Sequence, residues 1–263
     1  MGNIRACGSR KPYLAAKFMV AKQLRYRLGI LLVAMAMLSP AAANAQSLTV
    51  SPVNIEVPSG QSTVAITVTN TGDMATKYQI RPFAWSQDAD GNDVLTPTSE
   101  VMVSPPLGSI APAADQTVRL KLRRPPQAKE LSYRIILDQL PGPAVGGGTR
   151  MVLRFSIPIF AQPAAHVEPL VKWHVESRDG QRFLVAVNHG SKHAKFWEMA
   201  ITAPDSGPVE LDPDGAQYVL AGATQRWRMV PRKGGQPMAQ TYTLSARTDG
   251  GVVKETVAIA DGK

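Results

Sequence analysis

From Gln46 onward the chain alternates apolar and polar residues in short runs, interrupted every eight to twelve residues by Gly, Pro, Asn or Asp. That period of two is the signature of half-buried β-strands, and no stretch holds a helical period. The pattern predicts seven strands in the first half, at 48–57, 62–70, 76–85, 99–103, 115–123, 131–140 and 149–162. In the fifth, Val118, Leu120 and Leu122 share one face while Arg119, Lys121 and Arg123 share the other, so one side packs and one is wet. The second strand behaves likewise, with Val64, Ile66 and Val68 inward and Thr63, Thr67 and Thr69 outward. Turns are expected at Asn70-Thr71-Gly72-Asp73 and at Asp90-Gly91-Asn92. Seven short strands at this spacing predict a sandwich of two sheets.

A second set of strands begins near Leu170, beyond the stiff segment Gln162-Pro163-Ala164-Ala165, which places a boundary between 46–163 and 164–263. Its alternating core candidates are Trp173 and Val175, then Phe183, Val185 and Val187, then Phe196, Met199 and Ile201, then Tyr242, Leu244 and Ala246. No fixed-period repeat is visible, only two modules of one class.

Residues 1–45 have a different character. Lys22, Arg25 and Arg27 precede an unbroken apolar run from Leu28 to Leu38, and Ala43-Asn44-Ala45 has the small-x-small form of a cleavage site. They read as an export signal, cut between Ala45 and Gln46. The run is well short of the roughly 20 residues that span hydrocarbon, so no membrane insertion is expected. Translation starts at Met1 or Met19; the sequence leaves both open.

Setting this segment aside changes the charge. Of 29 basic residues it holds seven, leaving 22 against 20 acidic ones, a balance that argues against nucleic-acid binding. It also holds the single cysteine, Cys7, so the exported part is built without disulfides and depends on apolar burial, for which 218 residues suffice.

Catalytic chemistry has few places to reside. Residues 46–163 contain no His and no Cys, and all four histidines, His166, His174, His189 and His193, lie beyond them. The spacing of His189 and His193 would suit a metal on a helix, but Asn188-His189-Gly190 reads as a turn and no third ligand is evident. Asp88, Asp90, Asn92 and Asp93 resemble part of a calcium loop whose glycine and terminal Glu are misplaced, so a hairpin turn is expected instead. No enzyme activity, metal or cofactor is expected.

The most informative segment runs from Gly146 to Phe160 and reads as one long final strand. Met151, Leu153, Phe155 and Ile157 share a face; Arg150, Val152, Arg154, Ser156 and Pro158 share the other. Those four apolar residues either complete their own core or remain uncovered for a partner. Pro158 favours an edge position, and the Gly-rich stretch before the strand would let it flex.

Several short motifs follow one another over about 210 residues: Ser51-Pro52 with Pro58-Ser59-Gly60-Gln61, Val68-Thr69-Asn70, Val103-Ser104-Pro105-Pro106, Ile110-Ala111-Pro112, Gln116-Thr117-Val118-Arg119, Tyr133-Arg134, Gln139-Leu140-Pro141 and Ile157-Pro158-Ile159-Phe160. Asn188-His189-Gly190 with His193-Ala194, and Tyr218-Val219-Leu220-Ala221-Gly222, continue the series. In this order they resemble the periplasmic chaperones of chaperone-usher pilus systems, in particular the archaic branch serving spore-coat-U-like subunits. The resemblance implies an all-β boomerang of two immunoglobulin-like β-sandwich domains in the periplasm. Its partners would be secreted pilin subunits and an outer-membrane usher, and Met151, Leu153, Phe155 and Ile157 would form the donor strand.

One departure stands out. Relatives hold a subunit's C-terminal carboxylate with an Arg in the first strand and a Lys in the last, and the matching positions here are Asn54 and Pro158, neither of them charged. Arg134, Arg150 and Arg154 are the nearby basic candidates, each also readable as a solvated strand-face charge. The alternative of a different class is a two-domain surface or adhesion protein, which would need an anchoring signal that Ala260-Asp261-Gly262-Lys263 does not supply.

Overall fold

The computed structural model describes residues 48–126, 128–142, 152–204, 207–212, 218–230 and 239–260. The expectations for residues 1–45, for the stretch 143–149, for Arg150 and for Met151 lie outside the described residues.

The first half contains ten strands: β1 (Leu48–Ser51), β2 (Ile55–Val57), β3 (Thr63–Asn70), β4 (Thr76–Gln87), β5 (Asp93–Pro97), β6 (Val101–Ser104), β7 (Leu107–Ile110), β8 (Asp115–Leu122), β9 (Leu131–Leu140) and β10 (Arg154–Ala161). One sheet has the order β1-β3-β8-β6; the other has β2-β10-β9-β4-β5, with β7 also pairing β4. Between them lies a core that includes Ile66, Val68, Tyr78, Val118, Leu120, Ile135, Leu137 and Ile159. As expected, Val118, Leu120 and Leu122 are buried while Arg119 and Lys121 are exposed.

Three expectations need correction. The single strand at 48–57 is two, because the chain leaves one sheet after Ser51 and enters the other at Ile55. The polar segments around 93–97 and 107–110 are strands β5 and β7, whose weak alternation reflects edge positions with little to bury. The final strand begins at Arg154, so Val152 and Leu153, which it was expected to include, precede it.

The second half contains β11 (Val171–Arg178), β12 (Gln181–Asn188), β13 (Ala194–Lys195), β14 (Trp197–Ala203), β15 (Gly207–Leu211), β16 (Tyr218–Val219), β17 (Thr224–Val230), β18 (Thr241–Thr248) and β19 (Gly251–Ala258). Seven of these form one ladder, β11-β12-β17-β15-β14-β18-β19, and β13 pairs β16. The ladder curls until Val175 bridges Ile259, enclosing a core of Val175, Leu184, Ala186, Phe196, Trp227, Leu244 and others. On β12 the inward face is Leu184 and Ala186, not Phe183 and Val187 as expected, which are only partly buried. The run Phe183 to Val187 is apolar on both sides, so its pattern could not choose a face.

The two modules share an asparagine staple that sequence reading missed. Asn70 Nδ2 donates to the carbonyls of Met74, Ile110 and Ala111 at 2.8–3.1 Å, and its Oδ1 accepts the N–H of Gly72. Asn188 repeats this, donating to Lys192, Val219 and Leu220 and accepting from Gly190 and Leu170. Both are buried, at 0% and 1% exposure, and each ties a strand end to a distant loop whose carbonyls lack a ladder. The sequence trace is small: Asn-Thr-Gly in one module, Asn-His-Gly in the other.

Replacing Asn70 with Ala would orphan several buried carbonyls at once. Chemical denaturation of Asn70→Ala is expected to give a loss of about 2–4 kcal/mol; a loss below about 0.5 kcal/mol, the range of ordinary surface changes, would show that the staple is dispensable.

Candidate functional site

Because β1 and β2 belong to different sheets, the strand that could cover β10 covers only its end. β2 runs parallel to β10 and pairs Ile55, Glu56 and Val57 with Ile159, Phe160 and Ala161. No described strand flanks that side of β10 before Ile159, whereas β9 pairs the other side along its whole length, from Arg154 opposite Asp138 to Ala161 opposite Leu131.

The direction of each backbone group follows from one bond. Leu153 C=O accepts the N–H of Gln139, so Leu153 points its backbone toward β9. By alternation Phe155 and Ile157 do the same, while Arg154, Ser156 and Pro158 point theirs to the open side. Gln162, of the same parity, donates outward to Val57 C=O at 2.9 Å. Pro158 therefore removes a donor from the open edge and none from the β9 ladder, which is why a proline is tolerated there.

The expected row of four uncovered apolar side chains is corrected at Ile157, which is 2% exposed and sealed in the first core. Leu153 and Phe155 are half-buried and pack against the rim of that core, and Val152, on the other face, is 50% exposed. Among the described residues, what is open is the backbone edge from 152 to 158, with two apolar side chains partly available beside it.

The outer face of the same sheet carries the charged candidates in rows. Gln79, Asp138 and Arg154 form one, Arg81, Ile136 and Ser156 the next, Phe83, Arg134 and Pro158 the third. Asp138 is bonded by both Arg154 Nε and Arg81 Nη2, the latter at 2.7 Å. The bonds from Arg154 and then Arg81 hold its carboxyl below the usual carboxylate range.

Arg134 is not the solvated charge expected of it. Its guanidinium lies 3.8 Å from the Trp85 ring centre, bonds Asp93 at 2.9 Å and reaches Ser156 Oγ at 3.2 Å. Burial works against its charge, and Asp93 opposes that shift. Asn54 is half-buried with its Oδ1 enclosed and without a hydrogen-bond partner in the structure, immediately before the start of β2 and so at the closed end of the open edge.

Farther along this face Trp85 and Phe160 are buried, at 4% and 0% exposure, because the second module covers them with Leu220, Tyr218 and Ala223. Phe160 stacks on His193 at 3.5 Å, and His193 Nδ1 meets Glu130 Oε1 at 2.8 Å. Gln87 clamps Tyr218 C=O and Leu220 N–H, and the β4–β5 turn, in which Asp88 Oδ1 accepts the N–H groups of Asp90 and Asn92, reaches Arg178 through Asp90. Gly91 fits there because a Cβ would lie 2.0 Å from Gln225 Oε1, and its φ of +91° suits glycine. His193 is thus a seam residue, and no group of three or more His, Cys, Asp or Glu able to hold a metal occurs among the described residues. In the sequence the seam left only short motif traces, at Phe160, His193-Ala194 and Tyr218–Gly222.

The chain is thus a two-module all-β protein whose edge strand β10 is covered by β2 at one end only among the described residues. Residues 47–166 match the family model "Pili and flagellar-assembly chaperone, PapD N-terminal domain". The chain is similar to the chaperone CsuC of Acinetobacter baumannii, solved with the tip subunit CsuE of archaic Csu pili, with 25% identity and a TM-score of 0.62 over 82% of this chain and 100% of that one. It also resembles the Salmonella enterica SafB chaperone, solved with SafA pilin (16% identity, TM-score 0.57, 83% and 99% covered), and the E. coli chaperone DraB (18%, 0.54, 83% and 100%). No curated protein matches the chain. Beyond the matched residues 47–166, the chain as a whole has the all-β fold of these two-domain chaperones, with immunoglobulin-like β-sandwich domains.

Two outcomes follow. Trp85→Ala removes a ring that supports Arg134, Phe160 and Tyr218 together, and should lower unfolding stability in urea by about 3–5 kcal/mol. A carboxyl held below its ordinary value stabilises fully above the ordinary carboxylate range and loses that contribution as acid titrates it. Asp138→Asn should therefore narrow the gap to the parent protein as pH falls below about 4, measured by thermal unfolding across pH.

Proposed function

We propose that this chain is a periplasmic chaperone that binds unfinished pilin subunits by lending them the β10 edge and delivers them to an outer-membrane usher. In this reading residues 1–45 are a signal peptide removed between Ala45 and Gln46, 46–163 form the chaperone domain and 164–263 the second immunoglobulin-like domain. The observation that carries it is the backbone edge at 152–158, which no strand among the described residues pairs, beside the half-buried Leu153 and Phe155.

An unpaired edge is a template for another strand, and chaperone–pilin complexes are a recognised instance of β-strand addition. The outward N–H and C=O groups of Arg154 and Ser156 would pair with the subunit. Leu153 and Phe155 would fill its groove, contributing at most about 3–6 kcal/mol before ordering costs. Met151 would extend the same row, and Ile157 would serve the chaperone's own core.

The carboxylate anchor would also differ from that of relatives. Arg134 already has a carboxylate partner in Asp93, and Arg154 lies four residues before the closed end of the edge, so neither would hold a subunit terminus beside Asn54. Asn54, at the closed end of the edge, would offer its side-chain N–H groups to the subunit's carboxylate.

Ser156→Pro deletes one outward N–H and leaves the β9 ladder intact, so it separates binding from folding. Periplasmic co-purification followed by mass spectrometry should recover pilin subunits with the parent chain and at least about tenfold less with Ser156→Pro or Leu153→Asp. Unchanged recovery with both variants folded would exclude this edge as the donor.

A further inference from the structure

The row Gln79–Asp138–Arg154 ends on the open edge, and its charge does not balance. Two guanidiniums converge on one carboxylate, with Arg81 and Arg154 side chains 46% and 67% exposed and Asp138 15% exposed. Neither the neighbouring Gln79 nor the next row, Arg81–Ile136–Ser156, contains a second carboxylate. Each bond to Asp138 uses one donor of a guanidinium that carries five, so exposed N–H groups remain on both arginines. Ile136, 8% exposed, and Phe83 give the seat an apolar flank, with Arg81 lying 5.9 Å from the Phe83 ring centre.

Position decides what would occupy it. A strand added to β10 takes the lane that β2 occupies from Ile55 onward, so it cannot extend past Pro158. Arg154 lies four residues before that limit. It therefore faces a residue in the middle of a guest strand, and cross-strand neighbours in one row share a face. We propose, resting on the strand-donor reading, that Arg81 and Arg154 select subunits carrying an acidic side chain on the solvent face of the paired strand, opposite Arg154. Asp138 holds the two guanidiniums in place while leaving one positive charge unmatched for the guest. The selectivity is separate from recognition of a chain terminus, which this lane would place near Asn54 or beyond Arg154.

The test uses N-acetylated, C-amidated heptapeptides in which Ile and Val alternate with Glu, Gln or Lys, so that no terminal carboxylate is present. Fluorescence anisotropy with the mature protein should rank Glu above Gln above Lys, with Glu favoured over Gln by about three- to tenfold at low salt. That preference should shrink in 1 M salt and disappear in Arg81→Gln/Arg154→Gln. Equal affinities for the Glu and Gln peptides, or a preference that survives in the double variant, would overturn the proposal; the comparison on the parent protein decides by itself should the variant fail to fold. Binding of the Gln peptide that Ser156→Pro abolishes, without a Glu preference, would leave the edge as donor and eliminate the seat. No binding of any peptide would overturn both.

Discussion

Backbone polar groups are obligatory hydrogen-bonding groups, and a strand with one unpaired side must find water or a partner. In this protein a single crossing creates that condition. The chain pairs β1 with β3 in one sheet, crosses at Pro52 to Asn54, and pairs β2 with only the last three residues of β10. Had the first strand stayed with β10 throughout, the edge would be closed and the molecule a pair of ordinary sandwiches. The residues that define the lane's closed end, Asn54 and Pro158, are therefore as much part of the site as the side chains beside it.

The second constraint is the seam. The face that is exposed at Gln79 and Arg81 becomes buried at Trp85 because the second module packs onto it through Phe160, Leu220 and Tyr218. Aromatic contacts supply much of the area, and polar clamps fix the geometry: Gln87 on two backbone groups, Glu130 on the N–H and ring of His193. Buried polar groups of this kind are costly unless matched, so they penalise any other docking of the two modules. The outer face of the β10 sheet is thus bounded by protein at one end and open at the other.

The candidate site was partly legible in the residues. The alternation from Met151 to Ile157 located the strand, Pro158 placed it at an edge, and the absence of His and Cys from residues 46–163 removed most catalytic chemistry. Sequence could not grade the row: Ile157 is sealed while Leu153 and Phe155 are at a rim, a difference set by how far the opposing sheet reaches. Arg134 and Arg154 look alike as strand-face cations, yet one lies over Trp85 beside Asp93 and the other stands in solvent against Asp138. The staples of Asn70 and Asn188 were similarly silent, since two of the three acceptors of each lie 31 to 41 residues away.

By itself the sequence determined the all-β class, the inward and outward faces of strands with clean alternation such as β8, and the chemistry that is scarce or missing. Those features depend on local period and composition, which one segment carries without reference to any other. Tertiary structure alone decided where the first strand changes sheets, which β12 face turns inward, how the second module covers Trp85, and which arginines share a carboxylate. Each of these is a choice among partners distant in the chain, and a two-residue period is equally satisfied by several of them.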